Sequence, residues 1–272
     1  MAALTINAHS VKKRRVSERW LRIGFGIAGI ILVLAIWQLS TLWLNPILFS
    51  SPTRVAAALP RMFSSGALGA ALSETASDWA ISVGFGLVGG MVIGAIMGRY
   101  RWCERLLNPF VDFLVATPRV VLIPLLIVWI GVGSEGRIIF AVLTNIFVVI
   151  INTMAGVRNV NRTYTDVGRA AGLSDRQITW KIRVPGAVPY ILTGARLCAS
   201  VSLVGLIIAQ MEFSNAGLGY LLQIYQAQLE TSQVLAIVVL TAALGLVIVG
   251  IFKAIEQLFF AWVQETSAMG RA

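Results

Sequence analysis

Residues 79–98 read WAISVGFGLVGGMVIGAIMG, twenty positions without a charged side chain. At 1.5 Å per residue a helix of that length reaches about 30 Å, the thickness of the hydrocarbon core of a bilayer. Within it Gly86, Gly90, Gly94 and Gly98 recur every fourth residue. Such a stripe lies on nearly one helix face and lets a second helix approach closely. That neighbour belongs either to the same subunit or to another.

Working outward from this stretch, five further apolar segments have the length of a span: Ile23–Leu44, Leu106–Ile130, Ile138–Val157, Ala187–Met211 and Val234–Phe252. Leu106–Ile130 is the irregular member. It carries Pro109, Asp112, Pro118, Arg119 and Pro124, and three prolines predict a kink or a break. The basic run Lys12-Lys13-Arg14-Arg15 before the first segment resembles the start of a signal peptide. Its apolar core is too long for one, and no small-residue cleavage site ends it. The expected fold class is therefore all-α: a polytopic membrane helix bundle of six transmembrane helices over residues 23–257. An N-terminal tail, 1–22, and a C-terminal tail, 258–272, flank it.

Composition agrees. Of 272 residues, 57% are hydrophobic and only 12% charged, and mean hydropathy is +0.81. Soluble domains carry about 25% charged residues, and disorder requires low hydrophobicity. The single histidine, His9, lies in the polar tail, which excludes histidine-based metal or acid–base chemistry. Cys103 and Cys198 read as small apolar fillers.

The net charge of +10 is unevenly spread. If the N-terminus is cytoplasmic, seventeen Lys and Arg residues fall on that side and only Arg54, Arg61 and Arg137 on the other. Cytoplasmic loops are enriched in basic residues, so both termini are expected in the cytoplasm. The positive balance is then a signal of orientation, and no nucleic acid is expected as a partner.

Two connections are more than plain turns. Ser51-Pro52 suits the start of a short outer helix, 52–63. The loop 158–185 is long for a tight bundle. Asp166–Ala171 reads as a short helix interrupted by Gly172. Ser174 then caps a second short helix, Asp175–Val184, that ends at Pro185, with Ile178, Trp180 and Ile182 as its apolar positions. This hairpin either lies on the membrane surface or docks a cytoplasmic partner.

No catalytic or metal-binding cluster accompanies these features. None of the four lysines stands in a Gly-Lys-Ser/Thr phosphate loop. An ion-coupled secondary transporter is the alternative class, and its intramembrane ionisable groups would be Asp112 and Arg119.

The hairpin resembles the cytoplasmic signature of the permease subunits of bacterial ATP-binding-cassette importers. That signature is Glu-Ala-Ala, three residues, Gly, nine residues, Ile-x-Leu-Pro. Here Asp166-Val167-Gly168 is followed by Gly172 and by Ile182-Arg183-Val184-Pro185 at the same spacing. Asp replaces Glu, Val and Gly replace the two alanines, and Val184 replaces Leu. Three further stretches are similar to the taurine/sulfonate/nitrate branch: Pro185 to Leu197, Gly217-Leu218-Gly219-Tyr220 after Glu212, and Trp129-Ile130-Gly131-Val132-Gly133. Arg119 stands where that branch commonly has proline.

The resemblance implies a type I ABC importer permease fold in the cell inner membrane, with no catalytic residue, metal or cofactor of its own. ATP and Mg would be bound by the partners, two ABC ATPase subunits. The other partners would be a second permease copy in a homodimer, a periplasmic solute-binding protein and the lipid bilayer. It places coupling to the ATPase on Asp166, Gly168, Ala171, Gly172, Ile182 and Pro185. It also makes 212–233 an outer re-entrant segment, with Glu212, Asn215, Gly217, Gly219 and Tyr220 as the outer gate or binding-protein contact.

The cargo would be a small organic anion: a sulfonate, an aromatic carboxylate or a nitrate-like solute. Counted along an unbroken helix from Arg105, Arg119 lies about 21 Å into the membrane. There it either pairs with Asp112, Glu212 or a backbone carbonyl, or faces the central cavity as a positive site. Asn145, Ser202 and Gln210 would line the same path.

Overall fold

The computed structural model describes residues 8–45, 48–213 and 215–269, and among them the side chains other than those of 8–20, 22, 23 and 259–269. The Lys12–Arg15 side chains and Arg271 thus lie outside the described set. Among the described residues there are helices and no strand.

The chain opens with α1, Ala8–Ser40, whose apolar stretch Gly24–Ser40 is seventeen residues long. It stops short of Leu44, and at its end Ser40 Oγ and Thr41 Oγ1 donate to the carbonyls of Trp37 and Gln38. Then α2, Pro52–Ser64, starts on Ser51, whose side chain accepts from the Arg54 N–H, with Pro52 in the first turn. Gly66, at φ 78°, turns the chain into α3, Ala67–Arg99. This helix is about 50 Å long and begins well before Trp79.

The irregular segment is broken in two. α4, Arg101–Ala116, ends at Thr117-Pro118; a 3₁₀ turn, Arg119–Leu122, leads into α5, Ile123–Ile130. The two arms are bent by 96°. Proline without an N–H and the extended residue before it explain the break. α6, Ser134–Arg158, follows Gly131 and Gly133.

The connection after α6 holds α7, Arg162–Ala170, and α8, Asp175–Ile178. The chain then passes through a π turn, Thr179–Arg183, into α9, Val184–Glu212. α10, Leu218–Ala227, and α11, Thr231–Met269, complete it.

Among the described residues, four helices are long and apolar enough to cross a membrane: Ala67–Arg99, Ser134–Arg158, Asp175–Glu212 and Thr231–Leu258. The bent pair formed by α4 and α5 would be a fifth.

α6 lies between α3 and α9 and forms the centre of the bundle. The glycine stripe of α3 faces it: a Cβ on Gly90 would stand 2.5 Å from Val149 Cβ, one on Gly94 2.6 Å from the Ile150 carbonyl, and one on Gly98 2.8 Å from Val157 Cβ. The stripe thus serves packing within the chain. Without a hydrophobic drive between helices in lipid, such close backbone contact supplies the dispersion energy of association. Trp79 Nε1 donates to the Ala199 carbonyl at 2.9 Å and ties α3 to α9. Arg196 on α9 is paired at 2.9 Å with Glu256 on α11, so this charge within a span is satisfied.

Candidate functional site

Two polar regions occupy opposite ends of the bundle. At one end lies the hairpin 158–185. Asn161 Oδ1 accepts from the Thr163 N–H at 2.9 Å, so α7 begins four residues before Asp166, the expected start. Gly172 closes α7 at φ 76°, a left-handed conformation that favours glycine, and Leu173 N–H returns to the Gly168 carbonyl at 3.0 Å. Ser174 and Gln177 form a reciprocal capping box for α8.

The second helix does not end at Pro185. It continues through the π turn, in which Val184 N–H bonds the Thr179 carbonyl, into α9. Pro185 has no N–H to give, and at the first turn of α9 that loss is tolerated.

The hairpin closes on itself around Gly168. A Cβ there would meet Ile182 Cδ1 at 2.7 Å. Ile178 is fully buried and Ile182 half-buried, so these two face α7. Trp180, expected on the same apolar face, is instead 65% exposed, and Tyr164 and Val167 on α7 are exposed too. Tyr164 and Val167 escaped the sequence reading. Their spacing of three, which puts both on one side of a helix, is the trace they leave in the sequence. Asp166 is exposed and paired to Arg169 at 3.1 Å; Ala171, Gly172 and Pro185 are exposed. Asp175 reaches Arg99 at 3.6 Å, which fixes the hairpin against the end of α3.

At the other end a buried polar network joins α3, α6, α9 and α10. Arg137 was expected in an outer loop. It is instead 2% exposed, with Nε 2.8 Å from Asp78 Oδ2 and Nη2 2.5 Å from Glu74 Oε1. Gln210 Oε1 accepts from Thr75 Oγ1 at 3.0 Å and from the Gly219 N–H at 3.2 Å, and Thr75 Oγ1 accepts from the Leu218 N–H at 3.0 Å. The start of α10 is thereby pinned to α3 and α9. Gly217, at φ 95°, and Gly219 are both buried; a Cβ on Gly219 would run into the Ile207 carbonyl and lie 2.7 Å from Gln210 Cβ. Glu212 and Asn215 are exposed and Tyr220 half-buried. Phe213 is buried against Phe140, ring centroids 6.2 Å apart.

Of the residues expected along one path, Asn145 and Ser202 both meet Ser82, while Gln210 is held at Thr75 and Arg119 at Thr144. Asn145, Ser202 and Gln210 are each fully buried. Asn145 Nδ2 donates to the Ser82 carbonyl at 3.2 Å, and Ser202 Oγ lies 2.8 Å from Ser82 Oγ. These side chains are fasteners between packed helices, not an open lining of this chain. Arg119 differs. It sits just past the α4–α5 break, half-buried, with Nη1 donating to the Thr144 carbonyl at 3.1 Å. Its Nε is buried and makes no hydrogen bond. Of the pairings expected, the backbone carbonyl is the one formed, while Asp112 instead accepts from Asn108 Nδ2 at 2.7 Å. The 21 Å count assumed an unbroken helix; α4 is continuous only to Ala116, and the axis turns by 96° between there and Arg119.

Among the described residues no cluster of His, Cys, Asp and Glu is arranged to hold a metal ion.

Residues 86–260 match the family described as "Binding-protein-dependent transport system inner membrane component". The chain is 33% identical to the putative aliphatic sulfonates transport permease protein SsuC of Escherichia coli (strain K12), over 85% of this chain and 88% of that one. It is 25% identical to the taurine transport system permease protein TauC of the same organism, over 92% and 94%. Among solved structures, an inward-facing MetNI methionine ABC transporter chain matches with TM-score 0.64 at 19% identity, covering 74% of this chain and 98% of that one. At that identity the likeness is one of fold.

Proposed function

The chain belongs to the family of binding-protein-dependent transport system inner membrane components, and from that premise we propose that it forms the translocation path of an ATP-driven importer for a small organic anion. It is an ABC importer permease of the sulfonate/taurine branch and a multi-pass protein of the inner membrane. The cargo in this proposal is a sulfonate, an aromatic carboxylate or a nitrate-like solute, handed over by a periplasmic binding protein. Two copies of the chain pair in the membrane with two ATPase subunits beneath them, which bind the ATP and Mg. Six spans follow if α1 and the bent α4–α5 pair each cross once, with both termini in the cytoplasm.

The observation that carries the reading is the hairpin. It is a rigid, doubly capped unit, packed through Gly168, Ile178 and Ile182 and continuous with α9 through the π turn. Tyr164, Val167 and Trp180 are exposed on it. A short helix held by α6 on one side and α9 on the other passes a rigid-body push to both helices. Asp166, Gly168, Ala171, Gly172, Ile182 and Pro185 shape this coupling unit, and the exposed aromatic face fits a cleft on the ATPase. At the opposite end Glu212, Asn215 and Tyr220 meet the binding protein, on a segment set by Gly217 and Gly219. Arg119 offers a positive site for the passing anion.

The test is reconstitution of the permease with its ATPase and binding protein in vesicles, with uptake measured for labelled taurine, an alkanesulfonate, benzoate and nitrate. ATP-dependent uptake of at least one anion that requires the binding protein is expected. Uptake driven by an ion gradient without the ATPase would overturn the proposal.

A further inference from the structure

We propose that the cleft between the first turns of α4 and the end of α6 binds the phosphate of an anionic phospholipid. The cleft is about 500 Å³ and is lined by Arg101, Glu104, Arg105, Asn108, Pro109 and Arg158. Arg158 is ion-paired with Glu104. Arg101 and Arg105 are exposed and have no ion-pair partner among the described residues. At 100° per residue, Arg101, Glu104, Arg105 and Asn108 fall within an arc of about 100° on α4. A free pair of guanidiniums one turn apart suits the several oxygens of a phosphate, each offering a planar fork of donors.

The neighbouring arc of α4 says which phosphate. Trp102, Leu106, Phe110 and Phe113 share an arc of ~80° whose near edge, Trp102, lies about 60° round the helix from Arg105, and all four are exposed, Trp102 at 66% and Phe113 at 68%. The apolar stripe thus meets the arginines only at Trp102 and from there runs down and round the helix away from them. Free phosphate needs only the basic cleft; a phospholipid needs the cleft and an adjoining surface for its acyl chains, and both are present. The tryptophan beside the arginines at the end of the stripe fits the headgroup level of a membrane. Basic pockets between spans are recognised sites for anionic headgroups. The cleft lies at the hairpin end, next to Arg158, so a bound lipid buttresses the root of the hairpin.

The full-length chain is reconstituted in vesicles containing brominated phosphatidylglycerol or brominated phosphatidylcholine. Quenching of Trp102 is taken as the difference between the native protein and Trp102→Phe. A preference for the anionic lipid of about fivefold or more is expected, from about one such factor per basic residue near the surface. It should fall to about onefold in Arg101→Gln/Arg105→Gln and persist in Arg101→Lys/Arg105→Lys. Equal quenching by both lipids, or a preference that survives the glutamine variant, overturns the proposal. So does absence of quenching by either lipid, which means that protein covers the stripe. Loss of the preference on adding inorganic phosphate at constant ionic strength assigns the cleft to free phosphate and also overturns it. No transport is measured, so neither result depends on the importer reading.

Discussion

Arg137 Nε donates to Asp78 Oδ2 at 2.8 Å, and this ion pair ties α6 to α3 where almost no solvent reaches the guanidinium. Glu74, one turn earlier on α3, takes a second guanidinium nitrogen. The pair sits next to the Thr75–Gln210–Gly219 hydrogen bonds, so α3 is the element on which both α6 and the start of α10 are hung.

Removing one member of such a pair strands the other charge. Arg137→Met is expected to cost about 3–5 kcal/mol, while Arg137→Met combined with Asp78→Leu should recover most of it. Thermal unfolding of the detergent-solubilised protein measures both. Equal loss in the single and double variants would mean that the pair is not what holds α6 to α3.

The hairpin offers a contrast between two glycines. A side chain at Gly168 collides with Ile182, so Gly168→Val forces α7 off the π turn at a cost of about 1–3 kcal/mol. A side chain at Gly172 meets nothing within 4 Å, and only its φ of 76° resists substitution, at about 1–2 kcal/mol for alanine. Gly172→Ala should therefore keep substantial transport-coupled ATP hydrolysis in vesicles. Gly168→Val should lose it. Gly172→Asp and Gly172→Arg project into open space within this chain, so their expected loss of coupling reports a surface occupied by the ATPase. Unchanged substrate-stimulated hydrolysis in either charged variant would argue that no partner sits there.

The start of α10 is held by backbone proximity that glycine alone permits. Gly219→Ala puts a methyl group against the Ile207 carbonyl and breaks the Gln210 hydrogen bond. Cysteines placed at Asn215 or Tyr220 are expected to cross-link to the binding protein in the native background, and far less with Gly219→Ala. Absence of adducts from both positions in the native background would remove the docking role.

What could be read from sequence is what depends on neighbours in sequence. The charge-free run 79–98, the Ser51-Pro52 helix start and the left-handed Gly172 all follow from local chemistry. The burial of Arg137 does not, because its carboxylate partners lie 59 and 63 residues away. Asn145, Ser202 and Gln210 show a second limit. A polar residue in an apolar span reads alike whether it faces a cavity or a neighbouring helix, and only the packing of α3 on α6 and α9 decides. The end of the second hairpin helix was misread because Pro185 forbids one hydrogen bond but not a helix, and a π turn absorbs the loss.

Arg119 is the remaining candidate for contact with the cargo. One of its nitrogens holds the Thr144 carbonyl, and this anchors the 3₁₀ turn to α6. The buried Nε has no acceptor, an uncommon state for a charged donor, since an unmet buried polar group costs about 1–3 kcal/mol. An anion that reached the half-buried guanidinium at the break would supply the opposite charge, and Nε could meet it only if the side chain shifted. Arg119→Gln keeps a neutral N–H donor, two bonds shorter than the Nη1 that holds Thr144, and removes the charge. It should lower anion uptake by about 10- to 100-fold, the value of a hydrogen bond to a charged group. Assembly and basal ATP hydrolysis should be unaffected. Arg119→Lys should recover part of the uptake through charge alone, without the bidentate fork. Uptake by the complex in vesicles, measured beside its gel-filtration profile, separates the outcomes. A glutamine variant that falls apart in detergent would make Arg119 a fastener of the break and leave the anionic cargo without its support in this chain.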